Sequence, residues 1–209
     1  EEQQQQSSWA PVYTGREEAF RCLFRRIGQK RDAVTVSKAI QDFNELLRSE
    51  SMHKRLQVEA LQHWAWLYHT KIHYDSSPSV RAAALQTWTV AFERVPKAVM
   101  GLLLQHVELL GMIYATRTDP SAEVTSSAAD AALFQQDWRW KDGLWAYANR
   151  ILSYGRVSAM EDALFQNEQN KDAMEERFER IVGNCLDALN QYIIEHDIES
   201  DEPIWWKTL

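Results

Sequence analysis

The sequence predicts an all-α fold, and three observations carry that expectation. Helix-breaking residues are scarce, with seven Gly and five Pro among 209 residues. Between them run segments rich in Ala, Leu, Gln, Glu and Arg, the residues that lose least on entering a helix. No β-branched run alternates in polarity, so a sheet has no strand to be built from. An apolar share of 45% is enough for a buried core.

The elements follow in order. Residues 1–15 begin with a Glu/Gln tract that offers no core-forming side chain and reads as a disordered lead-in. From Arg16 to Ile27, Ala19, Phe20, Leu23, Phe24 and Ile27 share one helical face, with Gly28 as the stop signal. Asp32 or Thr35 caps the next stripe, Val36, Ala39, Ile40, Phe43 and Leu47. Ser51 opens a longer helix with Leu56, Leu61, Trp64, Leu67, Tyr68 and Ile72 in step. Ser77-Pro78 and Asp119-Pro120 each place a capping residue before a first-turn proline, ahead of helices over Val80–Phe92 and Val124–Phe134. Pro96 starts another, with Leu103, Val107, Leu110 and Tyr114 in phase. Aromatic density blurs the boundaries from Asp137 to Tyr154, and Ser158 and Glu161 have capping-box spacing. A last helix is expected from Asp172 to His196, burying Met174, Phe178, Ile181, Cys185, Leu189 and Tyr192. The helical domain is thus placed at 16–196. Residues 197–209 read as an acidic, Trp-bearing segment leading into the rest of a longer protein, since both chain ends look cut.

A repeat refines the fold class. Asp75 stands five residues before Val80 and Asp119 five before Val124, a period of 44; Asp32 ahead of Val36 supplies a looser copy 43 residues before Asp75. In each copy the Asp falls between two helices and the Val begins an apolar stripe. Two-helix units of about 40–47 residues predict a HEAT/armadillo-like α-solenoid of stacked antiparallel helix pairs. A lone pair cannot bury its apolar face, so each neighbour completes the core of the last.

Composition also excludes. No apolar run reaches the roughly 20 residues of a bilayer crossing; the nearest, Ala98–Ala115, is interrupted by Gln105, His106 and Glu108. Cys22 and Cys185 are too few for a disulfide framework and favour a reducing, cytosolic setting. Glycines are not clustered as a phosphate-cradling loop requires, and Gly155-Arg156-Val157-Ser158 lacks the second Gly of a nucleophile elbow. His69 and His73 are spaced i,i+4 with Asp75 close behind, but Thr70 stands where a metallohydrolase carries Glu, and no third ligand is evident. They read as structural. Glu175 and Glu176 read as a solvated face. No catalytic constellation, metal, cofactor or small-molecule substrate is expected, and a helical metal-dependent enzyme using His69 and His73 stands as the alternative.

Charge points instead to binding. The net charge of −7 is uneven: from Arg16 to Arg55 ten Lys/Arg face six Asp/Glu, while from Ala159 to Pro203 three face thirteen. Arg16, Arg21, Arg25, Arg26, Lys30, Arg31 and Lys38 gather near one end, as a surface for phosphate or an acidic partner would. Among nine tryptophans, Trp64, Trp88 and Trp145 are assigned to the core; Trp138, Trp140, Trp205 and Trp206 lie in poorly periodic segments and are expected either to anchor a partner or to pack against the rest of a longer protein.

The residues also resemble a family. Phe24-Arg25-Arg26-Ile27-Gly28-Gln29-Lys30-Arg31-Asp32, then Thr35, Lys38-Ala39-Ile40 and Phe43, is similar to the opening HEAT repeat of listerin, the RING-type E3 ubiquitin ligase of ribosome-associated quality control. Leu67-Tyr68 through Asp75 to Val80-Arg81 resembles its second repeat, and Glu175-Glu176-Arg177-Phe178-Glu179-Arg180-Ile181-Val182 the segment closing that region. Val36, where the family usually has Lys, and Met112-Ile113-Tyr114, in place of a Trp-rich stretch, depart from its pattern. The resemblance implies an N-terminal docking domain that helps bind obstructed large (60S) ribosomal subunits, through rRNA or ribosomal protein, and the NEMF-family factor marking them. It implies a cytosolic role with no membrane, and a RING elsewhere: eight Cys/His ligands cannot come from two cysteines. Arg25, Arg26, Lys30, Arg31 and Lys38 are the expected partner-binding residues, in a fragment that is not itself an enzyme. An unrelated HEAT adaptor for transport or a phosphatase is the other reading.

Overall fold

Three turns, each carrying one of the repeated aspartates, organise the chain. The computed structural model describes residues 15, 17–49, 54–129, 131–135, 139–153 and 171–196. Helices α1 (Glu18–Gln29) and α2 (Ala33–Arg48) flank Asp32, whose carboxylate accepts the Thr35 amide at 2.8 Å. Helix α3 (Lys54–Thr70) runs into a 3₁₀ turn (Ile72–Tyr74) before α4 (Pro78–Arg94), and Asp75 accepts the Ser77 amide at 2.9 Å. Helices α5 (Lys97–Leu103) and α6 (Val107–Tyr114) lead through a 3₁₀ turn (Ala115–Thr118) to α7 (Ala122–Ala129), where Asp119 accepts the Ser121 amide, also at 2.9 Å. A short carboxylate occupies an otherwise orphaned amide in all three turns. The helices then start, and Val36, Val80 and Val124 follow fully buried. A 3₁₀ turn (Ala132–Gln135), α8 (Trp140–Ser153) and α9 (Lys171–Glu195) complete the described residues, none of which lies in a strand.

The helices lie in two rows. In one, α2 packs on α4 and α4 on α7; in the other, α1 packs on α3, α3 on α5 and α6, α6 on α8, and α8 on α9. The apolar stripes meet between the rows. Phe20, Leu23, Phe24 and Ile27 of α1 close on Val36, Ala39, Ile40, Phe43 and Leu47 of α2, all buried. Burial of each such large side chain stabilises by roughly 1.5–3 kcal/mol. A run of rings continues the core from one unit to the next. Phe24 to Phe43 is 5.1 Å between centroids, Phe43 to Trp64 5.8 Å, Trp64 to Trp88 6.3 Å, and His73 to Tyr147 on α8 5.3 Å. The last helix buries Ile181, Cys185 and Leu189 as its spacing predicts, with Phe178 and Tyr192 partly buried against the core.

Several expectations are revised. Gly28 does not end α1; it is a buried helical residue, and its carbonyl and that of Ile27 accept from Lys71, which follows α3. The helix expected from Pro96 breaks at Leu104, which lets both Leu103 and Leu104 reach the core while Gln105 and His106 face water. The helix over Val124–Phe134 divides into α7 and a 3₁₀ turn. Trp140 is not a spare anchor: it is 6% exposed, beside Phe92, Tyr114 and Phe134. Trp64 and Trp88 are fully buried and Trp145 partly so. The departures at Val36 and Met112-Ile113-Tyr114 fall on buried positions. The expectations at Arg16, Ser51, Trp138, Ser158, Glu161, Trp205 and Trp206, and at the side chain of Met174, lie outside the described residues.

One contact is made by backbones. At the crossing of α6 and α8 a Cβ on Gly111 would lie 2.1 Å from the Gly143 carbonyl oxygen, and one on Gly143 2.6 Å from the Gly111 nitrogen. Only glycine admits so close an approach.

Candidate docking surface at the first helix turn

The α1–α2 turn is where the predicted cations converge. Arg25 and Arg26 lie in the last turn and a half of α1, Lys30 and Arg31 in the connection, and Lys38 in the second turn of α2. At 1.5 Å per residue, Arg25 and Lys38 are each within about 8 Å, along their helix axes, of the connection. The reason is local: α1 buries Phe20, Phe24 and Ile27 on one side, so Arg25 must project from another, and α2 treats Lys38 the same way beside Ala39 and Ile40. Arg25, Lys30, Arg31 and Lys38 are exposed, and none of the four forms an ion pair with another described residue. Arg26 differs. It is half-buried, and its guanidinium donates to Asp42 on α2 at 3.2 Å. Arg21, one turn before Arg25, pairs with Glu18 at 3.1 Å.

Beneath this surface lies a residue that sequence reasoning missed. Lys71, just past the end of α3, donates to the carbonyls of Ile27 and Gly28 at 2.9 Å and of Lys30 at 3.1 Å. It supplies the C-terminal cap of α1 from the neighbouring unit. Burial holds its ammonium down at about 8, with Asp75 opposing that shift and Arg31 adding to it, so Arg31 and Lys71 share one electrostatic neighbourhood. The only available signal was the repeat itself, since Lys71 follows Gly28 by 43 residues. Asp32 adds a fixed negative charge: hydrogen bonds from the Thr35 side chain and backbone hold its carboxyl below the ordinary range.

The middle turns are charged too, but inwardly. Arg81 is 5% exposed and Asp119 4%, and they meet as a two-pronged pair, Nε to Oδ2 at 2.7 Å and Nη2 to Oδ1 at 2.8 Å. The remaining Arg81 nitrogen donates to the carbonyls of Asp75 and Ser76. Arg180 of α9 reaches the carbonyls of Tyr74 and Asp75 at 3.2 Å, its guanidinium held down at about 10 by burial and then by Arg81. Thr118 bonds Asn184, and Arg117 pairs with Glu195 at 2.7 Å. These links are tertiary joints, leaving little charge for a visitor.

The two histidines do not share a helix face. Helix α3 stops at Thr70, so His69 ends the helix while His73 sits in the 3₁₀ turn. His73 is buried between the hydroxyls of Tyr68 at 3.2 Å and Tyr147 at 2.7 Å; burial, then the nearby Arg180, Arg150 and Arg81, push it well below its usual range, so it is neutral. His69 bonds Glu108, which also faces Arg150 at 3.6 Å. Among the described residues no three His, Cys, Asp or Glu side chains converge as metal ligands. Both cysteines are free, Cys22 exposed and Cys185 buried with its thiol pushed up to about 12. No helix among the described residues is long and apolar enough to cross a membrane.

No curated protein and no solved structure matches the chain. A family model does: the E3 ubiquitin-protein ligase listerin, N-terminal domain, matches residues 16–204. That span takes in every described helix, the α1–α2 turn and the paired charges behind it. The chain belongs to the listerin family, of which it carries the N-terminal domain.

Proposed function

We propose that this chain is the docking end of a listerin-like E3 ubiquitin ligase, holding the enzyme on obstructed large ribosomal subunits in the cytosol while a distant RING modifies the nascent chain. The observation that carries the reading is the family match over 16–204, joined to a cluster of exposed cations that form no ion pair with another described residue. The two helical rows are read as HEAT-like pairs, domain limits as 16–196, and the mechanism as geometry. A stiff arm raises the effective concentration of a remote active site at its target without doing chemistry. Arg25, Lys30, Arg31 and Lys38 make the contact, with Arg26 bracing the turn through Asp42; the subunit surface and the NEMF-family factor are the partners this supports. Buried His73 and Glu108-bound His69 favour this reading over the metal-dependent enzyme, and the family match favours it over an unrelated adaptor.

The test is co-sedimentation with obstructed large subunits over a salt series. Replacing Arg25, Lys30, Arg31 and Lys38 together by Ala should weaken binding and flatten its salt dependence. Binding that survives unchanged would remove these residues from the contact.

A further inference from the structure

Val34 lies in the first turn of α2 with 75% of its surface exposed, one of the few large apolar side chains of the described residues left to water. Single exposed valines are common and need no explanation by themselves. This one has particular neighbours. Lys30 and Arg31 precede it in the connection, Lys38 follows one helical turn later on the same face, and all three are exposed.

Three features of this patch disfavour nucleic acid. RNA is met by cations and hydrogen-bond donors, or by aromatic and guanidinium planes that stack on bases; a valine supplies none of these. Asp32 lies two residues before Val34, its ionised carboxylate inside the cationic group and already holding the Thr35 amide that a phosphate would otherwise use. Arg26, which could have forked a phosphate, is drawn to Asp42. An apolar knob ringed by flexible cations is instead the pattern of a protein interface, an anchor at the centre and complementary charge at the rim.

We propose that the α1–α2 turn docks on an acidic protein surface, with Val34 seated in an apolar recess and Arg25, Lys30, Arg31 and Lys38 meeting carboxylates around it. The proposal rests on the docking reading above and gives it a partner class: protein, with bare ribosomal RNA as the excluded case.

The experiment compares co-sedimentation with obstructed large-subunit particles and binding to RNA extracted from them. The chains compared are wild type, the fourfold Ala variant, Val34→Ser, Val34→Lys and, as a control at another exposed apolar site, Leu186→Ser. Both Val34 variants should bind the particles about five- to tenfold more weakly, the control should match wild type, and extracted RNA should bind far less tightly than the particles. If Val34→Lys binds as well as or better than wild type, or extracted RNA binds as tightly as the particles, the patch reads phosphate and the inference is overturned. If the fourfold variant binds normally while the Val34 variants do not, the acidic rim is wrong. If neither the fourfold variant nor the Val34 variants differ from wild type, the docking reading itself falls, and this inference with it.

Discussion

The turns after α1 and before α7 share the aspartate spacing and have opposite electrostatic fates. Each places an aspartate where its carboxylate takes a nearby amide, Asp32 on Thr35 and Asp119 on Ser121. In the later turn Asp119 is also clamped by Arg81 out of reach of water. In the first, Asp32 remains exposed, and Arg25, Lys30, Arg31 and Lys38 around it form no ion pair with another described residue. A charge satisfied inside the fold contributes to register and stability, whereas one left in water contributes to what the fold can meet. The two turns should therefore respond oppositely to mutation.

The largest effect should come from the buried pair. Arg81→Ala leaves the Asp119 carboxylate without its counter-charge, which costs about 3–5 kcal/mol. A volume-matched apolar replacement of both partners should recover much of that loss, measured by urea unfolding; a double variant as weak as the sum of the singles would show the pair to be uncoupled. The glycine crossing comes next. Gly111→Ala drives a methyl into the Gly143 carbonyl and should destabilise by about 1–3 kcal/mol, because α6 and α8 must part. Gly101→Ala, with open space around it, should be neutral or stabilise by up to about 1 kcal/mol. Equal outcomes would refute the close approach.

Acid provides a third probe. His73 and His63 are both held below their usual range by burial, His63 down to about 4. Below pH 6.5 the unfolded chain takes up protons that the native one refuses, so stability present above that pH is lost as it falls. For fully buried His73 the slope approaches about 1.4 kcal/mol per pH unit; half-buried His63 adds less. His73→Gln should flatten the acid limb, although it starts less stable. A limb of unchanged steepness would place the titration elsewhere. The smallest effect belongs to the first turn: the fourfold Ala variant should unfold at the wild-type urea concentration. A marked shift there would mean that its cations are structural after all.

Much of the fold was legible because it rests on periodicity. The stripes from Phe20 to Ile27 and from Val36 to Leu47 are core in the structure, as are Ile181, Cys185 and Leu189. The aspartates were visible as a repeat. The joints were not. Nothing near Lys71 announces that it caps a helix more than forty residues away, and the structural roles read for His69 and His73 are filled by partners on other helices, Glu108 and Tyr147, that the spacing of the two histidines does not reveal. Trp140 misled for a related reason: its partners Phe92, Tyr114 and Phe134 come from three other segments, so no local period includes it.

By itself the amino-acid sequence determined the helical class, the starts of α2, α4, α5 and α7, the main apolar faces and the family, since these depend on propensity, short-range capping and spacing along one chain. Only the tertiary structure decided which charges would be spent internally and which would remain for a partner. Asp119 and Arg81 are 38 residues apart and become a buried pair, while Arg31 and Lys38 flank an equally short turn and stay in water. The physical reason is desolvation: a charge can leave solvent only where packing brings its opposite within hydrogen-bonding distance, and packing is a property of neighbouring helices, not of either sequence segment.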